Sequence, residues 1–323
     1  MRAYRQALIF LTMVLLAVPA VSLAQAQTLL LLDSIRLEAN LHLQPSGLSI
    51  CNQRLLMISD SQDSIIFELH PEDKNNPLTA FRSLSVSPPS FPDELPSSNI
   101  ARSKMTAALY QKTYDWEAIT CDRSGNIYLA SEAFFNIAVI TPSGQAQWIM
   151  PDIYTSGISK GLFSVHNGGI EGLAWQNKQG LHIAAERSQR GLLRAQKTGQ
   201  NWLIKEVRPV ADTYPTHLAS RSHDFSGLWQ ESGKIFTLER NHFLVCRRDL
   251  VHFNLEKCWD YGHVENAKAF LYSDMEFGIA EGIARQKDKL YIVVDNNNKA
   301  RIKNNTDTAP LLMVYQLPDD WLR

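Results

Sequence analysis

One pattern, written five times, constrains this chain more than any other feature. The copies begin SGLSI at Ser46, EAITC at Glu117, EGLAW at Glu171, SGLWQ at Ser226 and EGIAR at Glu281. Each opens on Ser or Glu, continues with a small residue and then places Leu or Ile. A short polar turn follows, then an apolar run that closes on an acid. These runs are LLMISD to Asp60, IYLASE to Glu132, LHIAAE to Glu186, IFTLE to Glu239 and LYIVVD to Asp295. From the second copy onward the starts lie 54 or 55 residues apart, whereas the first interval is 71.

A third apolar stretch recurs in each copy (SIIFEL, NIAVIT, GLLRAQ, FLVCR and LLMVYQL), and a fourth in several, such as AQWIM and NWLIKEV. Short runs parted by turns such as Arg123-Ser124-Gly125-Asn126 and Glu231-Ser232-Gly233-Lys234 read as antiparallel strands. Three or four strands per unit of this length make a propeller blade. No segment shows helical periodicity over more than two turns. The expected fold is all-β, a single β-propeller over residues 27–323 with five blades by repeat count. Six blades are the alternative that the long first interval allows. Its excess falls in Ser87 to Ser98, where four prolines favour an insertion loop, set at about 85–112. The last copy lacks a fourth strand, and the stretch from Ser34 to Leu43 is expected to supply it and close the ring.

The first residues address the compartment. Arg2 and Arg5 precede an apolar run from Ala7 to Val21, and Ala24 and Ala26 form a small-residue processing site. Residues 1–26 therefore read as a signal peptide, and the mature protein as periplasmic or secreted. The apolar run is too short for a comfortable membrane span, and no later segment is longer. In an oxidising compartment the four cysteines would form disulfides. Cys246 and Cys258 flank an expected hairpin. Cys51 and Cys121 hold similar places in neighbouring repeats, and buried free thiols are the alternative for both pairs. The formal net charge of −1, without a basic cluster, excludes a nucleic-acid partner of the usual kind.

In a blade the start of the first strand lies beside the end of the second. That pairs Glu117 with Glu132, Glu171 with Glu186, and Glu281 with Asp295, while Asp60 and Glu239 come from the blades that open on Ser46 and Ser226. These eight carboxylates are expected at one end of the central channel. Like charges so close disfavour joint ionisation, and a divalent cation such as Ca²⁺ with several oxygen ligands would relieve them. The alternative is structural: the acids bond loop amides, or pair with Arg187 and Arg240. Loops entering the first strands place His166, His223 and Asp224 near the same mouth, with Arg190, Arg221, Lys299 and Arg301 close in sequence. A small anionic or ester ligand would suit that composition, with Glu171, His166, His223, Arg187 and Arg240 as candidate catalytic groups. A protein partner at the mouth loops is the alternative. Gly47, Gly172, Gly227 and Gly282 are expected to let backbones approach near the channel. Trp175 and Trp229 are expected to pack between blades. No G-x-S-x-G elbow and no phosphate-binding glycine loop is present. The Asn304-x-Thr306 glycosylation pattern is of little weight.

The paired segments DWEAIT with IYLASE, IEGLAW with LHIAAER, FSGLW with IFTLER, and AEGIA with LYIVVDN resemble the phytase-like ("esterase-like activity of phytase") propeller family. They are also similar to the SdiA-regulated propellers. The likeness runs from about Ser46 to Asn297, and the order and spacing of all five copies carry it. It implies an exported propeller with an acidic channel mouth, calcium, and hydrolysis of phosphoesters or other esters. It extends to Glu117, Glu132, Glu171, Glu186, Glu239, Glu281 and Asp295. The dense Asp/Lys/Arg phosphate site of true phytases is not recognisable. A non-catalytic periplasmic binding propeller is the alternative reading.

Overall fold

The chain is described by a computed structural model over residues 26–38, 42–150, 152–176, 180–212, 221–275 and 277–323. The expected signal peptide, apart from Ala26, lies outside these residues. Two short strands come first, β1 (Gln27–Thr28) and β2 (Leu31–Arg36). Blade 1 follows with β3 (Pro45–Cys51), β4 (Arg54–Ser59), β5 (Ile65–Leu69) and β6 (Leu78–Ser83). Helix α1 (Ser97–Tyr110) then precedes blade 2, built from β7 (Trp116–Cys121), β8 (Ile127–Ser131), β9 (Asn136–Ile140) and β10 (Ala146–Trp148). A short helix α2 (Ile153–Ile158) leads into blade 3, with β11 (Ile170–Gln176), β12 (Gly180–Ala185), β13 (Gly191–Thr198) and β14 (Asn201–Pro209). Blade 4 has β15 (Gly227–Glu231), β16 (Lys234–Glu239), β17 (Leu244–Asp249) and β18 (Leu255–Asp260). The helical turn α3 (Gly262–Glu265) precedes blade 5, which contributes β19 (Ala280–Gln286), β20 (Lys289–Val294) and β21 (Leu311–Gln316).

Each blade is an antiparallel sheet in chain order, with one exception: the fourth strand of blade 5 is β2, paired with β21. The propeller thus has five blades, and the N-terminal strand closes it. That strand runs from Leu31 to Arg36 rather than from Ser34 to Leu43. Arg36 pairs with Leu311, the first residue of β21, and one further bond, from Leu37 N to Pro310 O at 2.9 Å, ends the pairing among the described residues. β1 was not anticipated. It adds to the outer edge of β18 in parallel and covers an otherwise open strand.

The first strands pack so closely that backbones touch. A Cβ on Gly282 would stand 2.8 Å from Leu48 N, and one on Gly47 would stand 3.1 Å from Ala118 Cα. Only glycine leaves blades 5, 1 and 2 room to meet this way. Between blades the contacts are apolar, as where Trp175 of blade 3 stacks on Tyr128 of blade 2 at 5.1 Å. Trp229 likewise packs against apolar clusters contributed by blades 5 and 1. Both cysteine pairs form disulfides: Cys51–Cys121 ties blade 1 to blade 2, and Cys246–Cys258 joins directly opposed positions of β17 and β18.

The insertion between blades 1 and 2, expected as a loop over about 85–112, contains a helix. Its proline-rich part packs down, with Leu95 buried and Phe91 stacked on Phe134 at 4.7 Å. It then forms α1, a 14-residue helix with no buried residue. A helix with no fully buried residue, only Ile100 packed part-way against the core, needs no apolar stripe, so periodicity cannot reveal it. Its composition still can, because Ala, Arg, Lys, Met and Leu dominate between Ala101 and Leu109.

Candidate active site

The acids reach the channel through a repeated backbone defect. In blades 1, 2, 3 and 5 the pairing of first and second strands skips one residue, and that residue is Ser46, Glu117, Glu171 or Glu281. A β-bulge leaves its extra residue unpaired and re-aims the side chain. Asp60, Glu132, Glu186 and Asp295 each stand directly after the second strand. Their amides continue the ladder for one more bond, to Gln44, Asp115, Gly169 and Ile279 carbonyls at 2.8–3.0 Å.

Blade 4 breaks the pattern by one residue. Glu239 remains inside β16, paired with Leu244, so its side chain lies on the face of Thr237 rather than at the channel. There it accepts hydrogen bonds from Arg190 at 2.5 Å, Arg248 at 2.9 Å and Thr237 at 2.9 Å, fully buried. The next residue, Arg240, takes the channel position. Its guanidinium donates to Asp224 at 2.9 Å and makes shorter contacts with Glu186 and Glu281. Glu239 is therefore not part of the ring, and Arg240 is its internal counter-charge.

Six of the remaining acids, joined by Asp115 but without Glu186, line one cavity of about 380 Å³. Asp60, Asp115, Glu117, Glu132, Glu171, Glu281 and Asp295 form its acidic wall, with Arg240 among them. Asn99, Arg102, Ser103 and Thr106, one face of α1, also line the cavity, together with Lys112 and His166. Burial, reinforced by neighbouring carboxylates, pushes Glu117, Glu171 and Glu281 well above the usual carboxylate range. The same causes push Glu132 up to about 8. Burial raises Asp60 to about 7 against the opposing charge of Lys112, and Asp295 to about 6. His166 is held below the ordinary imidazole value by burial and by Arg102 and Arg187, so it is neutral at pH 7.

Three of the acids meet closely. Asp60, Asp115 and Glu117 each offer a carboxylate oxygen, all within 4.8 Å of one another. Asp60 Oδ1 is buried with no hydrogen-bond partner among the described residues, while Oδ2 accepts from Lys112 Nζ at 2.6 Å. An all-oxygen donor set with an idle buried oxygen fits a hard divalent cation such as calcium. Glu132, Glu171, Glu281 and Asp295 line the same cavity but do not join this cluster. Glu186 is committed to Arg240 and, at 3.0 Å, to Arg187.

Other expected groups lie elsewhere. His223 does not line the cavity; it stacks on His242 with ring centres 4.1 Å apart. Arg190 is buried against Glu239, Arg221 lies over the Phe243 ring at 5.2 Å, and Arg301 pairs with Asp307 at 2.9 Å. The unanticipated contributors are Asp115 as a member of the close cluster, Lys112, and Arg102 from α1. Asp115 carried a signal: Tyr114-Asp115 leads into the first strand of blade 2 two residues before Glu117, as His166 and Asp224 lead into blades 3 and 4.

Among solved structures the chain is similar to the glutaminyl cyclase of Myxococcus xanthus, with a TM-score of 0.56 and 12% identity over 90% of this chain and 97% of that one. A PQQ-bound aldose sugar dehydrogenase from Streptomyces coelicolor gives a TM-score of 0.44 at 12% identity, covering 88% and 98%. A streptogramin B lyase gives 0.42 at 11%, covering 93% and 77%. At such identities the likeness is one of fold. No curated protein matches the sequence. The model of the phytase-like family, described as esterase-like activity of phytase, matches residues 45–298, from the start of blade 1 to just past Asp295, and this chain belongs to that family.

Proposed function

We propose that the cavity is the site of a calcium-dependent hydrolase acting on small anionic esters, phosphoesters foremost. One observation carries this reading: the Asp60, Asp115 and Glu117 oxygens converge in a cavity that also presents Arg102, Lys112 and neutral His166. Those three acids would hold the cation, which when bound supplies Lewis-acid polarisation of an ester or phosphoryl oxygen. Arg102 and Lys112 bind the anionic group, the role that sequence reading gave to Arg187 and Arg240. Glu171, in the acidic wall and held above the usual carboxylate range by burial, donates a proton to the leaving oxygen. His166, neutral at pH 7, accepts one from the attacking water.

The test is turnover of a panel of phosphoesters, carboxylic esters and lactones, with calcium and with chelator. Calcium-dependent turnover is expected, falling about 10²-fold or more in Glu171→Gln, whose fold and calcium content stay intact. Full activity in that variant with the metal bound would remove Glu171 from the mechanism, and turnover insensitive to chelator would remove the cation.

A specific observation favours a second reading, a non-catalytic binding propeller. Arg240 engages three acids from the boundaries of blades 3, 4 and 5, which is how a purely structural ring would be built. Calcium stabilisation without hydrolysis of any ester would support that reading. Export to the periplasm or beyond is part of either proposal, and the two disulfides are what supports it.

A further inference from the structure

Lys112 stands in an unusual position for a substrate-binding group. Its ammonium contacts Asp60 Oδ2 at 2.6 Å, and only 17% of either side chain is exposed. The charges of Asp60, Asp115 and Glu117 all act on it. These are the three residues whose oxygens converge, so one lysine neutralises the same acids that would hold a divalent cation. Two positive occupants cannot share them, because a like charge at this range costs several kcal/mol at intermediate dielectric.

The backbone on either side of Lys112 explains how the side chain could leave while the fold stays put. Immediately after it, the amides of Thr113 and Tyr114 both donate to the Asp63 carboxylate, the second at 3.3 Å. Immediately before it, Gln111 closes α1 in a left-handed conformation (φ 59°), with its amide bonded to Ala107 O at 3.0 Å. The chain is pinned at both sides, and four rotatable bonds remain for the ammonium to swing. Arg102 and Thr106 of α1 line the same cavity, so the ammonium remains beside the anion-binding groups after it moves.

We propose that Lys112 is a tethered counter-ion: it occupies the acidic cluster in the cation-free protein and is expelled when a divalent cation enters. Cation loading therefore does two things at once, since it fills the cluster and releases a second positive group toward an anionic ligand. The inference rests on the cation-binding reading above and adds that the lysine and the cation compete.

Calorimetric titration of calcium into chelator-treated native protein and into Lys112→Met tests the competition. The variant should bind calcium about tenfold more tightly or better, because no ion pair has to break. Calcium affinity equal to or weaker than that of the native protein overturns the role of Lys112 and leaves the cation site standing. Absence of calcium binding in both proteins overturns the cation reading and this inference together. A second measurement uses the native chain alone, should the variant fold poorly. Acetylation of Lys112 by acetic anhydride, followed by peptide mass spectrometry, should rise several-fold with saturating calcium relative to chelator. A rate that is unchanged or lowered by calcium overturns the expulsion.

Discussion

Arg240 Nε donates to Asp224 Oδ2 at 2.9 Å, and Asp224 is fully buried. The pair sits where the acid of every other blade would stand, and the same guanidinium also engages Glu186 and Glu281. Removing the arginine leaves Asp224 and Glu281 without their counter-charge and Glu186 with Arg187 alone. Arg240→Met should therefore destabilise the protein by about 3 kcal/mol or more. Urea denaturation of chelator-treated protein at pH 7.5 measures it. A loss below about 0.5 kcal/mol would show that the three acids are already protonated or otherwise satisfied.

The raised carboxylates set the direction of the pH dependence. Glu132 and Glu265 lie near 8 and Asp295 near 6 in the folded state, all above their unfolded values and all chiefly because of burial. These three groups therefore hold more protons in the native protein than in the unfolded chain between pH 4 and 8, and the stability they contribute falls as pH rises through that window. In chelator the melting temperature should drop by about 5 °C or more from pH 5.5 to 8.5. Calcium should flatten only the part of the profile that Asp60, Asp115 and Glu117 contribute, because a cation there replaces their protons. A melting temperature that rises toward pH 8.5 would contradict the burial of these acids.

The two disulfides should differ in value. Cys51–Cys121 closes a 70-residue separation and Cys246–Cys258 a 12-residue one. By loop-closure entropy the first is worth about 4 kcal/mol and the second about 3 kcal/mol. Double Cys→Ala variants, compared by denaturant titration, should keep that order. The reverse order would show that the blade 1–blade 2 seam holds without its covalent tie.

Blade contact at the channel is equally open to test. Gly282→Ala places a Cβ 2.8 Å from Leu48 N, where the obstacle is backbone that cannot rotate away. A cost of about 1–3 kcal/mol is expected. Gly144→Ala is the control for crowding: its added Cβ meets nothing within 4 Å, although the positive φ of 89° adds strain of its own. An equal or larger loss at Gly144 would place the cost in backbone conformation rather than in the seam between blades.

Much of the architecture was legible because a propeller writes its inner strands repeatedly. The Ser/Glu-small-Leu openings and the acids after the second strands located every blade. The acids of blades 1, 2, 3 and 5 then followed from strand adjacency alone. Glu239 escaped that logic because periodicity reports a residue's neighbours, not whether the strand ends before or after it. A shift of one position turned the acid outward and put Arg240 in its place. Helix α1 escaped because it buries no side chain fully, and with it went Arg102 and the setting of Lys112. Asp115 could be read as a neighbour of Glu117 but not as its partner, since a left-handed backbone at that residue brings the two carboxylates together.

The pairing of Arg36 with Leu311 has a temporal meaning as well. β2 can find its place only after β21 has been made. Until then four blades can assemble as an arc, but the acids of blade 5 have no ring to complete. Such a long-range closure is slow to reach and reports on the whole molecule at once. A chain truncated before Leu311 would lose more than one strand: β2 would have no partner, although β1 could still pair with β18. The latch thus makes closure of the ring depend on both ends of the propeller.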